Sequence, residues 1–267
     1  FYAIPDGTTI DVDADGDWLF PIGTVLMKNF RLNDVLFETR LFMRHTNGEW
    51  AGYTYEWNQA GTDATRVIGG KVTDVQGQTW TYPSESQCMN CHTETANFSL
   101  GIEHAHLNRE FKYPGTGLIT NQLDTAERIG MLTSPLADDV ANLPKLYDLT
   151  DTSTLPPLED SVDASRSYQH SNCAGCHRPL GPTPSNMDLR FETDFAATNT
   201  CDVTPTSGNL GVPNARLVSP GIAAESIIPN RMNRRDVHGM PPLASAVTDA
   251  NGFALINQWI NSLTACP

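Results

Sequence analysis

Apolar and polar residues alternate with a period of two along much of residues 1–85, a pattern typical of strands with one buried face. The segments VLFETRLFMRH and EWAGYTYEW follow it on either side of Asn47-Gly48, a dipeptide that favours hairpin turns. FPIGTVLMKNFRL and GQTWTYP are predicted to add further strands. We therefore predict an N-terminal antiparallel β-rich domain.

The pattern changes to a helical period near the C-terminus. In DANGFALINQWINSLTACP, apolar residues recur at three- and four-residue steps, at Phe253, Ile256, Ile260 and Leu263. A second helix is predicted from about Ser161 to Ser171. The expected fold class is α+β, in which the β-rich domain is followed by a mainly α-helical domain. The predicted boundaries are 1–85, 86–155 and 156–267.

Composition and charge narrow the classes of partner. The chain is 39% hydrophobic and 18% charged, which is ordinary for a globular protein, and its net charge is −14. This acidity disfavours nucleic acid and anionic lipid as partners, and it favours a basic protein partner or solubility in salty surroundings. No apolar run reaches the roughly 18 residues of a membrane span. The opening FYAIPDGTTI has no signal-peptide pattern, so we expect any secretion signal to be removed or upstream.

Two copies of one motif carry the strongest chemical signal: CMNCH at 88–92 and CAGCH at 173–177. In c-type haem attachment both thiols of Cys-x-x-Cys form thioethers, and the next histidine binds the iron. A zinc site built from all four thiolates is the rival, but it leaves both histidines unexplained. We predict two covalently attached haem c groups, with Cys88, Cys91, Cys173 and Cys176 as attachment sites and His92 and His177 as axial ligands.

The second haem has a predicted partner ligand in MNRRDVHGMPPLASAV. Met240 precedes two prolines, on a stiff loop that can hold a thioether against iron. A methionine that only fills the core is the alternative. His/Met ligation closes both axial positions and suits electron transfer. The order of helix, haem motif, methionine loop and helix over about residues 158–267 resembles a class I-like cytochrome c domain, apart from a long insert.

The opposite ligand of the first haem is left open by the sequence. No Met-Pro-Pro follows the first motif. Met131, in RIGMLTSPL, and His45, on the predicted inward face of a strand, are the leading candidates. His104 or His106, in GIEHAHLNREF, and an open iron are the alternatives.

Two cysteines, Cys201 and Cys266, lie outside the motifs. Covalent haem attachment usually takes place outside the cytoplasm, where disulfides persist, so we expect a periplasmic or extracellular protein. A Cys201–Cys266 disulfide is predicted, and it would attach the C-terminal helix to the insert. Two unrelated buried thiols are the alternative.

Several further features complete the set of candidate sites. Asp11 to Trp18 resembles the start of a calcium loop, but Ile22 occupies the position of the bidentate glutamate, so an acidic turn is the better interpretation. Positive groups are expected near the haem propionates, and solvated surface charge is the alternative interpretation of the candidates, which precede Met240: Arg216, Arg231, Arg234 and Arg235.

Segments from near residue 4 to the end of the chain resemble a family of secreted bacterial dihaem c-type cytochromes. Among them are PDGTTIDVDADGDWLFPIGTVLMKNF, ETRLFMRHTNGEWAGYTYEWN, QTWTYPSESQCMNCH and NCAGCHRPLGPTPSNMDLR. The resemblance implies the two attachment motifs and the methionine loop, and it implies no established activity. Related cytochrome domains occur with quinoprotein sugar dehydrogenases, which suggests a dehydrogenase as electron donor.

The leading functional hypothesis is electron transfer between periplasmic or extracellular redox proteins, with a polymeric haem conduit as a variant. The first alternative is a dihaem oxidoreductase of peroxidase-like type, in which the first iron is open. The second is a binding module in which the β-rich domain recognises a carbohydrate or a partner. Its candidate sugar-stacking rings, for which core packing is the alternative, are Tyr53, Tyr55 and Trp57.

Overall fold

A computed structural model describes residues 1–149 and 154–267. Part of the predicted 86–155 segment, residues 150–153, therefore lies outside the described residues. The chain divides into two compact units, Phe1–Lys145 and Leu146–Pro267.

Strands dominate the first unit. They are β1 Tyr2–Ala3, β2 Asp11–Val12, β3 Trp18–Leu19, β4 Val25–Leu32, β5 Val35–Arg44, β6 Trp50–Trp57, β7 Ala64–Val67, β8 Lys71–Val75, β9 Gln78–Tyr82, β10 Glu110–Lys112 and β11 Ile119–Asn121. Its short helices are α1 Glu85–Cys88, the 3-10 turn Glu94–Ala96, α2 His104–Leu107 and α3 Gln122–Arg128.

The central element of this unit is a five-stranded antiparallel sheet in the order β1-β4-β5-β6-β7. The Asn47-Gly48 turn joins β5 to β6, and Gly48 has the positive φ of 86° that such a turn requires. Side chains of paired residues lie on the same face. One face packs Leu26, Phe42 and Trp50 into a buried cluster with Ile10, Trp18, Phe20, Leu123, Ala126 and Leu132.

The second unit is built around two helices. The helices of this unit are the 3-10 turn Leu158–Asp160, α4 Ser161–Cys173, the 3-10 turns Phe195–Ala197 and Ala223–Glu225, α5 Ile227–Met232 and α6 Ala250–Ser262. α4 packs on α6 at Gly252, where an added Cβ would lie 2.2 Å from the Tyr168 ring. The buried cluster of this unit includes Ile256, Trp259 and Ile260 of α6.

The prediction of a mainly α-helical cytochrome c-like domain is wrong. Strands account for 23% of the protein and helices for 22%, and the described α-helices of the second unit span 13, 6 and 13 residues. Most of this unit is turns and loops because its α4–α5 connection is rich in proline, which removes a backbone donor and restricts the preceding residue. The prolines are Pro179, Pro182, Pro184, Pro205, Pro213 and Pro220.

A disulfide joins Cys201 to Cys266, with their Cα atoms 5.7 Å apart. Cys201 pairs with Val218 in an isolated bridge, and the backbone amide of Val218 donates to Thr200 at 3.0 Å. The bond therefore ties the chain end after α6 to the long connection that follows α4.

Candidate functional site

The first cysteine motif begins at the end of a capped helix. The Ser84 hydroxyl accepts from the Gln87 amide at 3.3 Å, and the Gln87 side chain accepts from the Ser84 amide at 2.9 Å, which forms a capping box for α1. Cys88 is the last residue of this helix. Its carbonyl accepts from the amides of Cys91 at 3.3 Å and His92 at 3.1 Å.

The second motif repeats this arrangement. Cys173 is the last residue of α4, and its carbonyl accepts from the amides of Cys176 at 3.1 Å and His177 at 2.9 Å. In both motifs, a helical turn therefore spans the two cysteines and the histidine. Residues three and four apart on such a turn share one side of it. Two thiols and one imidazole are presented together at each motif.

Aromatic rings of the sheet surround the first motif. The His92 ring lies 4.2 Å from the Phe42 ring, and Phe42 stacks on Trp50 at 5.0 Å. His92 Nδ1 donates to the Phe98 carbonyl at 2.5 Å. Because a carbonyl can only accept, this bond places the proton on Nδ1 and leaves a lone pair on Nε2. Burial lowers the pKa of His92, which favours the neutral ring.

Cys88 packs directly on the backbone of the sheet. A Cβ added to Gly52 would lie 2.5 Å from Cys88 Sγ and 2.7 Å from Cys88 Cβ. Only glycine allows this approach. Burial raises the pKa of the Cys88 thiol.

Gly52→Ala is expected to lower the free energy of unfolding by roughly 2 kcal/mol, because the new methyl group forces Cys88 away from β6. Denaturant unfolding measures the change. Gly115→Ala is the matched control: it has open space around its Cβ position and is expected to change stability by less than about 0.5 kcal/mol. Equal effects of the two substitutions would contradict the close packing of Cys88 on Gly52.

The second motif is packed into the core of its unit. Burial raises the pKa of the Cys173 thiol to about 12. His177 Nδ1 is buried and has no hydrogen-bond partner among residues 1–149 and 154–267. Burial, followed by the positive charge of Arg231, lowers the pKa of His177.

Met240 is fixed through its main chain. Its amide donates to the Arg231 carbonyl at 2.9 Å, and its carbonyl accepts from Arg235 Nη1 at 3.2 Å. The preceding Gly239 has no room for a side chain, since an added Cβ would lie 2.4 Å from the Arg234 carbonyl. Arg231 also donates to the His238 carbonyl at 3.0 Å and acts electrostatically on His177. Arg231 therefore links the methionine loop to the second motif.

The four predicted propionate-binding arginines differ in their contacts. Arg216 pairs with Asp202 and Arg234 pairs with Asp236, each at 2.7 Å. Arg231 and Arg235 differ from these two. In the part of the chain that the structure describes, their guanidinium groups donate to carbonyl oxygens and to no carboxylate. These two retain uncompensated charge close to Met240.

The sheet separates one candidate ligand from the first motif. His45 follows the end of β5 and lies beside Tyr53, which pairs with Leu41 on the face opposite Phe42, the residue that contacts the His92 ring. His45 Nε2 instead contacts the Tyr53 hydroxyl at 2.9 Å. The structure therefore does not bring His45 to His92.

The other candidate ligands of the first haem are Met131, which packs on the buried cluster of the first unit, and the two histidines of α2, His104 and His106. Met131 packs against the cluster that contains Phe42. His106 Nδ1 contacts Glu103 Oε1 at 2.7 Å. His104 Nε2 is buried and, within the described ranges, without a hydrogen-bond partner, and burial lowers the His104 pKa.

The acidic loop forms a turn held by its own backbone. One carboxylate oxygen of Asp13 accepts from the amides of Asp15 and Asp17, both at 3.0 Å. Its other oxygen accepts from Asn97 Nδ2 at 2.5 Å. These donors hold the turn around Asp13 in its conformation.

No protein-family model, curated protein or solved structure matches the chain. The resemblance to secreted dihaem cytochromes therefore stays a prediction. Among the described helices, none has the length and apolar character needed to cross a bilayer.

Proposed function

We propose that each motif covalently anchors one haem c and that the protein transfers electrons between secreted redox proteins. The observation that carries this proposal is the common turn, in which the carbonyl of the first cysteine binds the amides of the second cysteine and the histidine. Two copies of a five-residue motif with the same main-chain geometry argue for one chemistry used twice.

The residues fit the group that they are proposed to hold. The cysteine thiols would form the thioethers, and His92 and His177 would supply axial nitrogens. The bond from His92 Nδ1 to the Phe98 carbonyl is the kind of outer contact that fixes a ligating histidine in the correct tautomer. Bound haem supplies one-electron chemistry. The chain's own role is to orient the histidines and to exclude water around them.

The second site supports transfer rather than substrate binding. Met240 is held by Arg231 and Arg235 on a loop stiffened by two prolines, and a methionine ligand opposite His177 would close the axial positions. The net charge of −14 favours donors and acceptors with basic surfaces. A dehydrogenase is the class of donor that we propose, and the periplasm or cell exterior is the proposed location.

Paired ferric and ferrous spectra with potentiometric titration test this function on the full-length protein. We expect two low-spin haems, two reversible one-electron steps and no binding of carbon monoxide. High-spin ferric bands, or carbon monoxide on one haem of two, would instead support the oxidoreductase with an open first iron. The proposal would be contradicted if the protein contained no haem after expression in a strain that matures c-type cytochromes.

Met240→Ala is expected to convert the second haem alone to a high-spin ferric form and to lower its potential, because the thioether ligand raises the potential of haem iron. Met187→Ala is the control, since Met187 lies in the buried cluster of the same unit. Unchanged spin states in the Met240 variant would show that this methionine is not a ligand.

A further inference from the structure

One face of the five-stranded sheet carries three successive rows of paired residues beside the first motif. Register places Leu26, Phe42 and Gly52 in the first row, Lys28, Arg40 and Thr54 in the second, and Phe30, Glu38 and Glu56 in the third. Rows on one face are two residues apart along each strand, which is about 7 Å.

The outer two rows are covered by other parts of the unit. Cys88 packs on Gly52 and His92 on Phe42, so the first motif lies over the first row. The β8–β9 hairpin covers the third row. Trp80 contacts the Phe30 ring at 5.6 Å, and its Nε1 donates to Glu38 at 2.7 Å.

The middle row carries an excess of positive charge. Lys28 lies directly opposite Arg40, and like charges in paired positions destabilise a sheet. Arg40 donates to both oxygens of Glu38, at 2.5 and 3.1 Å. Glu38 also accepts from Trp80, so its carboxylate already holds three hydrogen bonds. Lys28 is exposed, its ammonium lies 5.2 Å from the Phe30 ring, and it has no carboxylate partner among the described residues.

Both cations lie one row from the first motif. Lys28 and Arg40 are two residues along their strands from Leu26 and Phe42, and the Phe42 ring contacts the His92 ring at 4.2 Å. Lys28 and Arg40 repel each other one row from the first motif. An anionic group bound between them would relieve this repulsion. The described residues supply one carboxylate, Glu38, for two cations.

We propose that Lys28 and Arg40 bind the propionate carboxylates of the haem attached to Cys88 and Cys91. This inference rests on the proposed function. It differs from the arginine set predicted near Met240, which belongs to the second motif. Lys28 would supply a mobile ammonium, and Arg40, already fixed by Glu38, a rigid guanidinium.

Lys28→Gln and Lys28→Glu in the full dihaem protein test the proposal, with Lys112→Gln as the control. Lys112 is an exposed lysine of β10 in the same unit, and its substitution removes the same charge. We expect a lower potential for the first haem, with a larger shift for Glu than for Gln. The second haem, and both haems of Lys112→Gln, are expected to keep their potentials.

A second measurement separates propionate binding from a general charge effect. Haem labelled with ¹³C at its carboxylates gives an infrared band in the redox-difference spectrum, and we expect this band to move in Lys28→Gln but not in Lys112→Gln. A band identical to wild type in both Lys28 variants would overturn the proposal. Absence of haem from the first motif of the wild type would overturn the proposed function as well, so the two failures are distinguishable.

Discussion

Replacing Cys88 and Cys91 together by alanine is expected to reduce the number of covalently bound haems from two to one. The Cys173→Ala/Cys176→Ala protein is expected to lose the other haem. Each motif forms its own helical turn and packs in its own unit, so removal of one thiol pair leaves the second turn intact. Intact mass under denaturing conditions and haem-stained gels measure the stoichiometry.

The same variants separate haem attachment from the rival zinc chemistry. One zinc site built from four thiolates would be lost completely on removal of either pair, whereas two haem sites are lost one at a time. Cys201→Ala/Cys266→Ala is the control and is expected to keep both haems. Survival of both stained haems in a protein with alanine at Cys88, Cys91, Cys173 and Cys176 would contradict covalent attachment.

The central sheet of the first unit could be predicted because the sequence pattern that specifies it lies within consecutive residues. Alternation along β5 and β6, together with the Asn47-Gly48 turn, determines which residues pair and which face is buried. The short strands β2, β3, β10 and β11 carry no such pattern. Each pairs with its sequence neighbour over only two or three residues, which is too short for alternation to mark a buried face.

The mainly helical interpretation of the second unit failed for a different reason. α4 and α6 have apolar positions at helical spacing, and the order of elements around the second motif suggested that helices would continue between them. The connection contains residues with positive φ, including Leu180, Asn199 and Asn214, besides its prolines. Such residues interrupt helices, so the insert forms turns.

The candidate site was partly predictable on the same grounds. The cysteine motifs are local, so their chemistry can be read from five residues. The environment of His92 is not local: Phe42 and Gly52 reach it only through the β5–β6 register, and strand alternation is the signal that could have identified them. The same alternation separates His45 from His92, because Tyr53, which His45 contacts, projects from the face opposite Phe42.

Loss of the Cys201–Cys266 disulfide is expected to lower the free energy of unfolding of the second unit by about 4 kcal/mol. The bond closes a loop with a sequence separation of 65, and opening it increases the entropy of the unfolded chain. α6 places Ile256, Trp259 and Ile260 in the core, so release of the chain end loosens the helix that supplies much of this core. Denaturant unfolding of Cys201→Ala/Cys266→Ala, followed by circular dichroism, measures the loss.

Reductant provides the matched control for this prediction. Wild-type protein treated with dithiothreitol is expected to match the double variant, and the variant is expected to be insensitive to dithiothreitol. This insensitivity also depends on the state of the four motif cysteines, because thioethers to haem are not reduced, whereas disulfides within Cys-x-x-Cys would be. A further loss of stability when the variant is reduced would therefore show that the motif cysteines are paired with each other. An unfolding free energy within about 1 kcal/mol of wild type would contradict the stabilising role of the disulfide.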